Sequence, residues 1–218
     1  MITTAKTPQE KLHALFDAER TVRQLHDELV AAERAAVLEL ISAAVREAHG
    51  AEEEESSLRL VRLAGLLGEM TGDRVVDLLI DVLESERPEA RHAAGESLTA
   101  LAFDRFKEVA LGVERALTRL APDSPALPEL PFVLLEVPEP GVAKLLRSFL
   151  RHPNADVVAS AIEAAAELGD PSLASALKEL QKDERSVDLE DEAGESDRTT
   201  IGKLAREACA ILADNEPL

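Results

Sequence analysis

Apolar side chains recur along most of this chain at the spacing of an amphipathic α-helix. Between residues 141 and 151 they fall at i, i+3, i+4, i+7 and i+8, which places them on one helix face: Val142, Leu145, Leu146, Phe149 and Leu150. In the next segment Asn154 is placed to cap a helix start and Gly169 to end it. No run of four to eight residues alternates β-branched with polar side chains, so no sheet is predicted. The pattern predicts an all-α protein.

The predicted helices form pairs after an N-terminal helix over residues 8–29. The five pairs cover residues 31–49 with 56–71, 73–85 with 88–102, 104–120 with 128–137, 141–151 with 154–168, and 171–182 with 198–213. A helix pair that recurs at such a period is the signature of a solenoid. We therefore expect a single α-solenoid domain over residues 1–218, with about five antiparallel helix pairs and an N-terminal helix.

The second helices of the pairs share a short pattern of residue types. An apolar residue precedes an arginine at Arg62, Arg91 and Arg206, and small residues follow two and three positions later. With the repeat period, these residues make segments 56–102 and 141–213 resemble HEAT repeats, most closely the short bacterial type named after phycobilisome lyases. The resemblance implies a superhelix that serves mainly as an interaction surface, in which these arginines make packing and turn contacts within the repeat.

Two segments depart from the repeat pattern. Residues 121–140 hold six of the eleven prolines, and proline cannot continue a helix interior, so the helix there is expected to be short, about 130–136. This segment could be the place of a bend between two stacks. The other departure is the stretch KDERSVDLEDEAGESDR at 182–198, where a turn between two helices is expected.

The charge of the chain narrows the classes of partner. Its net charge is −19 at pH 7, which opposes binding to nucleic acid or to anionic membranes and favours a basic protein. Aromatic residues make up only 2%, which leaves little for stacking on bases. The lone Cys209 allows no intramolecular disulfide, and the N-terminus lacks the apolar region of a signal peptide. A cytoplasmic location is the expectation.

Acidic residues concentrate in two turns that occupy equivalent positions in the repeat. Such turns emerge along one edge of a solenoid, often its binding face. We call this set the acidic rim: Glu52, Glu53, Glu54, Glu55, Asp183, Glu184, Asp188, Leu189, Glu190, Asp191, Glu192, Glu195 and Asp197. Val187 and Leu189 give the long stretch apolar side chains that could dock on another surface. The alternative is a charged loop that is only solvated. The sequence leaves both open. Because the long stretch replaces a turn, deletion of residues 186–197 is expected to leave the fold intact.

The second helices are expected to line the concave face of the solenoid and to supply a second binding surface. The candidate positions on this face are Arg59, Arg62, Glu69, His92, Glu96, Glu163, Glu167 and Lys203.

Residue motifs for chemistry are missing from the sequence. The five histidines form no HExxH, there is no CxxC, and none of them makes the His-Glu pair used by the di-iron hydroxylases built on HEAT-like repeats. They are expected to be ordinary solvated residues, and Cys209 a small core residue. We therefore predict no metal, cofactor or catalytic residue and a protein that is not an enzyme.

The predicted role is that of an adaptor, scaffold or inhibitor that binds a basic protein partner. Two alternatives remain: a lyase-like accessory subunit that acts on a protein-bound cofactor, and a HEAT-like nucleic-acid-binding or DNA-repair protein. The oligomeric state is not predicted.

Overall fold

A computed structural model describes residues 7–137, 139–190 and 196–214, and these are almost entirely helical. The elements in chain order are α1 (Pro8–Ala31), α2 (Arg34–His49), α3 (Glu53–Gly68), α4 (Asp73–Leu83), α5 (Pro88–Arg119), α6 (Leu130–Leu135), α7 (Val142–Phe149), α8 (Ala155–Leu168), α9 (Ala174–Leu180), β1 (Ser186–Glu190), β2 (Ser196–Thr200) and α10 (Ile201–Asp214). A turn of 3-10 helix, Pro171–Leu173, precedes α9. The all-α prediction is confirmed, and the helices correspond to the predicted pairs.

Helix α5 joins the second helix of one pair to the first helix of the next. The expected break between these helices survives only as a kink at Arg105, whose φ and ψ are −145° and 46°. The Pro-rich segment forms the short helix expected there, with Ala126, Leu127 and Leu130 fully buried. The bend proposed for this segment stays a prediction.

The pairs stack in the way that a helical repeat requires. Each second helix packs on the second helix of a neighbouring pair, α3 on α5, α6 on α8 and α8 on α10, and the first helix α2 packs on α4. One continuous cluster of buried apolar residues runs through the stack, from Val37 to Leu212. Each pair buries its apolar stripe only against its neighbours, which is why the repeated pattern in the sequence yields a stack.

Arginine side chains tie the turns and the neighbouring helices together. Arg91 donates to the carbonyl of Ser85 and Arg206 to that of Gln181, which supports the packing role that the resemblance implied for these two. Arg115 and Arg119, in the second half of α5, pair with Asp77 and Asp81 of α4. The polar contacts of the stack therefore reinforce the same helix neighbours as its apolar core.

The acidic stretch contains a β-hairpin, so the prediction of no sheet is wrong at this place. Strands β1 and β2 pair antiparallel, with Val187 opposite Thr199 and Asp188 opposite Arg198. Val187 and Thr199 are buried, whereas Asp188 and Arg198 are exposed. An isolated hairpin is marginal in water, so we attribute its stability here to the face that packs on the helices.

Helix α1 begins at a capping box, in which Thr7 and Glu10 satisfy each other's backbone N–H groups. It has 24 residues and none of them is buried. Its contacts are with α2 and α3. Unlike the later helices, α1 therefore leaves its apolar face largely uncovered.

Candidate protein-binding grooves

Three grooves lie against the second helices, the surface that the sequence analysis assigned to binding. The apolar groove, between α1 and α3, has a volume of about 1020 Å³. The acidic groove, between α8 and α10, has a volume of about 600 Å³. The smallest, of about 340 Å³, lies between α5 and α6. The face predicted to bind is therefore a series of separate clefts.

Carboxylates on both sides define the acidic groove. Asp156 and Glu163 come from α8, Glu207 from α10 and Asp188 from the hairpin. Among the residues that the structure describes, no lysine or arginine contributes to the lining. Arg198 lies 3.9 Å from Asp188 and offsets part of its charge, so the negative potential of the groove rests mainly on Asp156, Glu163 and Glu207.

The floor of the acidic groove is apolar and shallow. Alanines from both helices alternate there with Ile162, Leu204 and Ile211, and Ile211 is nearly half exposed. The small side chains keep α8 and α10 close together. The groove therefore has an apolar floor with carboxylates on both sides.

The β-hairpin is fastened at its base and closes one side of the acidic groove. Arg185 pairs with Asp183 at 2.6 Å and donates to the carbonyls of His152 and Pro153 at 3.1 and 2.7 Å. Gly202, at the start of α10, donates its N–H to the carbonyl of Asp183 at 2.9 Å. A Cβ at Gly202 would come within 2.7 Å of a backbone oxygen, so the chain passes closer here than any side chain allows.

These contacts change the ionisation of two side chains. The hydrogen bonds from Arg185 hold the pKa of the Asp183 carboxyl below its usual range. Burial lowers the pKa of His152, and the charge of Arg185 lowers it further, against a hydrogen bond from the backbone of Asn154. His152 is buried, so the expectation that the histidines are ordinary solvated residues is wrong for it.

The structure answers the question about Val187. This side chain docks on the protein itself, as part of the core cluster beside α8. Deleting residues 186–197 would remove this buried anchor. We therefore now expect the deletion to destabilise the fold, in place of the expectation that it leaves the fold intact. The side chain of Leu189 lies outside the described residues.

The rim residues of the first acidic turn belong to a helix start. Glu52 is the N-cap of α3, and Glu53, Glu54 and Glu55 form its first turn, where negative charge is favourable beside the helix dipole. Glu53 pairs with Arg87 at 3.1 Å, and Glu55 pairs with Arg59 at 2.5 Å. The structure thus gives this run a local structural role.

The rim residues of the second acidic stretch are divided among several environments. Asp183 is held by Arg185, Glu184 is exposed, and Asp188 faces the acidic groove, 3.9 Å from Arg198. Glu190 and Asp197 belong to the paired strands. Asp191, Glu192 and Glu195 lie outside the described residues. The rim is therefore not a uniform charged surface.

Contacts between successive turns agree with the expected common edge. Glu53 in the first turn meets Arg87 in the second, and Glu84 in the second accepts a hydrogen bond from Ser124 in the third. Further along, Arg185 reaches the turn at Pro153.

The predicted concave positions lie on the second helices or at their ends, but they are divided among different grooves. Arg62 lines the apolar groove, Glu163 lines the acidic groove, and His92 and Glu96 line the smallest one. Glu69 caps the end of α3, with its Oε1 2.9 Å from Nε2 of His26. Arg59, Glu167 and Lys203 are exposed but outside these three linings.

Sequence reasoning missed several residues that line the grooves. In the acidic groove, Asp156 lies beside the buried stripe of α8. Glu207 and Ile211 lie four positions apart, beside the buried stripe of α10. That spacing was readable in the sequence as a second face. The α1 residues beside the apolar groove were missed because α1 was treated only as an end helix.

Two searches for other kinds of site give negative results for the part of the chain that the structure describes. It contains no group of three or more His, Cys, Asp or Glu that could hold a metal ion. Cys209 is partly buried against the core. In residues 7–137, 139–190 and 196–214, no helix is both long and apolar enough to cross a membrane.

Comparisons with known proteins give structural likenesses only. No protein-family model matches the chain, and no curated protein matches it. The chain is similar to the crystal structure of an engineered protein, at 16% identity and a TM-score of 0.37, over 98% of this chain and 94% of that one. It is also similar to human deoxyhypusine hydroxylase in complex with glycerol, at 17% identity and a TM-score of 0.34, over 92% of this chain and 97% of that one.

The prediction that the chain is not an enzyme is contradicted by the second likeness, because that structure is of an enzyme. We withdraw the prediction. With TM-scores below 0.5, neither likeness supplies an activity or a site for this chain. The short bacterial HEAT type stays a resemblance, since no family model matches it.

Proposed function

We propose that this chain is a protein-binding helical repeat that holds a basic segment of a partner in the acidic groove. The observation that carries the proposal is the lining, which within the described part of the chain holds four carboxylates, no lysine or arginine, and an apolar floor. The role of such a module is that of an adaptor, scaffold or inhibitor.

The lining defines the chemistry of the partner segment. Lysine or arginine side chains would meet Asp156 and Glu163 on one side and Glu207 on the other, while an apolar side chain covers Ile211. An amphipathic helix with one basic face and one apolar face satisfies both requirements. Charge complementarity of this kind raises the association rate and selects against acidic partners.

The same lining disfavours phosphate backbones, because they carry the same sign of charge. Among the described residues, no feature favours the nucleic-acid or lyase-like alternative over protein binding. We therefore keep one function.

The test is a peptide-display selection on the purified chain, followed by affinity measurements with the selected peptides. We expect the selected sequences to combine lysine or arginine with apolar residues, and their binding to weaken as salt rises. The double variant Glu163→Gln/Glu207→Gln is expected to lose about tenfold in affinity, at roughly 0.7 kcal/mol for each charge removed.

The matched control is Glu179→Gln, which removes an exposed charge from α9 outside the groove. It is expected to keep the wild-type affinity. Selected peptides without a basic excess, or equal losses in the control and the groove variant, would contradict the proposed function.

A further inference from the structure

Helix α1 and the apolar groove hold seven of the eleven large hydrophobic side chains that are exposed in the described part of the chain. In the first half of α1, Leu12, Leu15 and Phe16 are 49%, 62% and 50% exposed. Across the groove from the second half of α1, Leu58 of α3 is 66% exposed. Isolated helices gain little stability without a packed face, so an uncovered face of this length points to a partner.

The exposed side chains form one connected patch with two complementary parts. The first half of α1 offers a ridge of apolar side chains, and Leu25, Leu29, Leu58 and Val61 form the bed of the adjoining groove. The seven side chains expose on the order of several hundred Å². That size suits the apolar centre of an interface that buries ~800 Å² per partner.

We propose that the occupant is a second copy of this chain, bound with its α1 antiparallel to the first. A two-fold axis places the ridge of each copy in the groove of the other, so one patch satisfies both halves of the contact. The spacing of α1 allows this, since positions 12, 15, 19, 22, 26 and 29 follow the alternating steps of three and four in a heptad repeat.

The register follows from the burial pattern. Val22 and His26 are half-buried against the body of their own chain, whereas Leu12, Leu15 and Phe16 in the first half of α1 are exposed. An antiparallel pair centred between Glu19 and Val22 sets Leu12 of one copy opposite Leu29 of the other, and Phe16 opposite Leu25. Each free half then lies beside a half that is already packed.

The distribution of charge on α1 favours a second copy of the chain over other occupants of the groove. The chain carries −19, so most of its surfaces repel another copy. On α1, however, the apolar stripe and its flanks carry Lys11 and Arg23 against Glu19 alone. The other acidic residues of α1 lie on its outer face at positions 10, 17, 27 and 28.

The groove that receives this stripe carries Glu53, Glu54 and Glu89 against Arg62 and Arg87. Its surplus of one negative charge is matched by the surplus of one positive charge on the stripe, so two copies can approach here without net repulsion. In the antiparallel register, Glu19 of each copy lies beside Arg23 of the other, so the pair occurs twice. The proposal concerns α1 and α3 and does not depend on the function proposed for the acidic groove.

The first test is the mass of the full chain in solution, by sedimentation equilibrium. We expect a dimer at micromolar concentrations that dissociates on dilution. Leu15→Glu should give a monomer with unchanged helix content, because this side chain is 62% exposed in the single chain. The control Gln24→Glu adds the same charge on the outer face of α1 and should stay dimeric. A wild-type chain that is monomeric at high micromolar concentrations, or a Leu15→Glu variant that dimerises like the wild type, overturns the proposal.

A charge exchange tests the antiparallel register. Glu19→Arg should raise the dimer dissociation constant at least about tenfold, since it sets like charges against each other twice. The double variant Glu19→Arg/Arg23→Glu should restore the wild-type constant. A single variant without effect, or a double variant as weak as the single one, overturns the antiparallel pairing of α1.

Discussion

The apolar groove and the acidic groove lie against helices of the same repeat position, yet their linings differ in charge and in side-chain size. Both have apolar beds, but the first is flanked by exposed leucines and the second by four carboxylates around small side chains. The stack dictates where a groove forms, because neighbouring helices meet there. The residues that flank the buried stripe decide what the groove binds.

The segments beside the two grooves are attached to the body in opposite ways. Helix α1 is long and regular and buries no residue, whereas the short hairpin anchors Val187 in the core. Regular secondary structure therefore does not measure how firmly a segment is held. The following predictions test this contrast, beginning with the largest expected effect.

A carboxylate introduced into the hairpin and one introduced into α1 should show the largest difference in stability loss. Val187→Asp buries a carboxylate in an apolar cluster, and we expect a loss of about 3 kcal/mol or more in the free energy of unfolding. Leu12→Asp, on the exposed face of α1, should cost less than about 0.5 kcal/mol. Urea unfolding of both variants, at dilutions where the chain is monomeric, measures the difference. Similar losses in the two variants would contradict it.

Adding one methyl group tests the close approach at the base of the hairpin. Gly202→Ala places a Cβ against two backbone carbonyls, which cannot move aside like a side chain, and should cost about 1–3 kcal/mol of stability. Gly65→Ala, in the last turn of α3, meets nothing within 4 Å and should stabilise the protein by about 0.5–1 kcal/mol. Thermal unfolding shows whether the two shifts have opposite signs, and shifts of the same sign would contradict the prediction.

Acid should weaken the C-terminal part of the stack through His152. The pKa of His152 is lowered in the folded protein, so below its ordinary value of 6.5 the unfolded chain takes up a proton that the folded chain does not. The free energy of unfolding should therefore fall as the pH decreases from 6.5 to the folded pKa. The variant His152→Gln should flatten this slope, and His13→Gln, on the exposed side of α1, should leave it as in the wild type. Urea midpoints across this pH range provide the measurement, and a His152→Gln slope equal to that of the wild type would contradict the assignment.

The helical part of the fold was readable because each helix carries its own signals. The spacing of Val142 to Leu150, the cap at Asn154 and the left-handed Gly169 with its φ of 66° act within a few residues, and the structure reproduces them. The break expected near residue 103 became a kink at Arg105, since no proline or glycine ends the helix there.

The hairpin and the grooves were less readable because they depend on distant contacts. In SVDLE the alternation is only five residues long, and its stability comes from packing that no local pattern reveals. The grooves required knowledge of which helices become neighbours. For the same reason Glu163 was predicted to lie on the binding face, while Glu207, on the opposite side of the same groove, was not.

The direct junction at Arg105, where two helices of α5 meet without a loop, has a consequence for how the molecule unfolds. In a stack where each unit contacts only its neighbours, units can ordinarily open one at a time from the ends. Here Pro88–Arg119 belongs to two successive units, and no loop separates them. Because the two units share this junction, we expect the centre of the molecule to unfold more cooperatively than its ends.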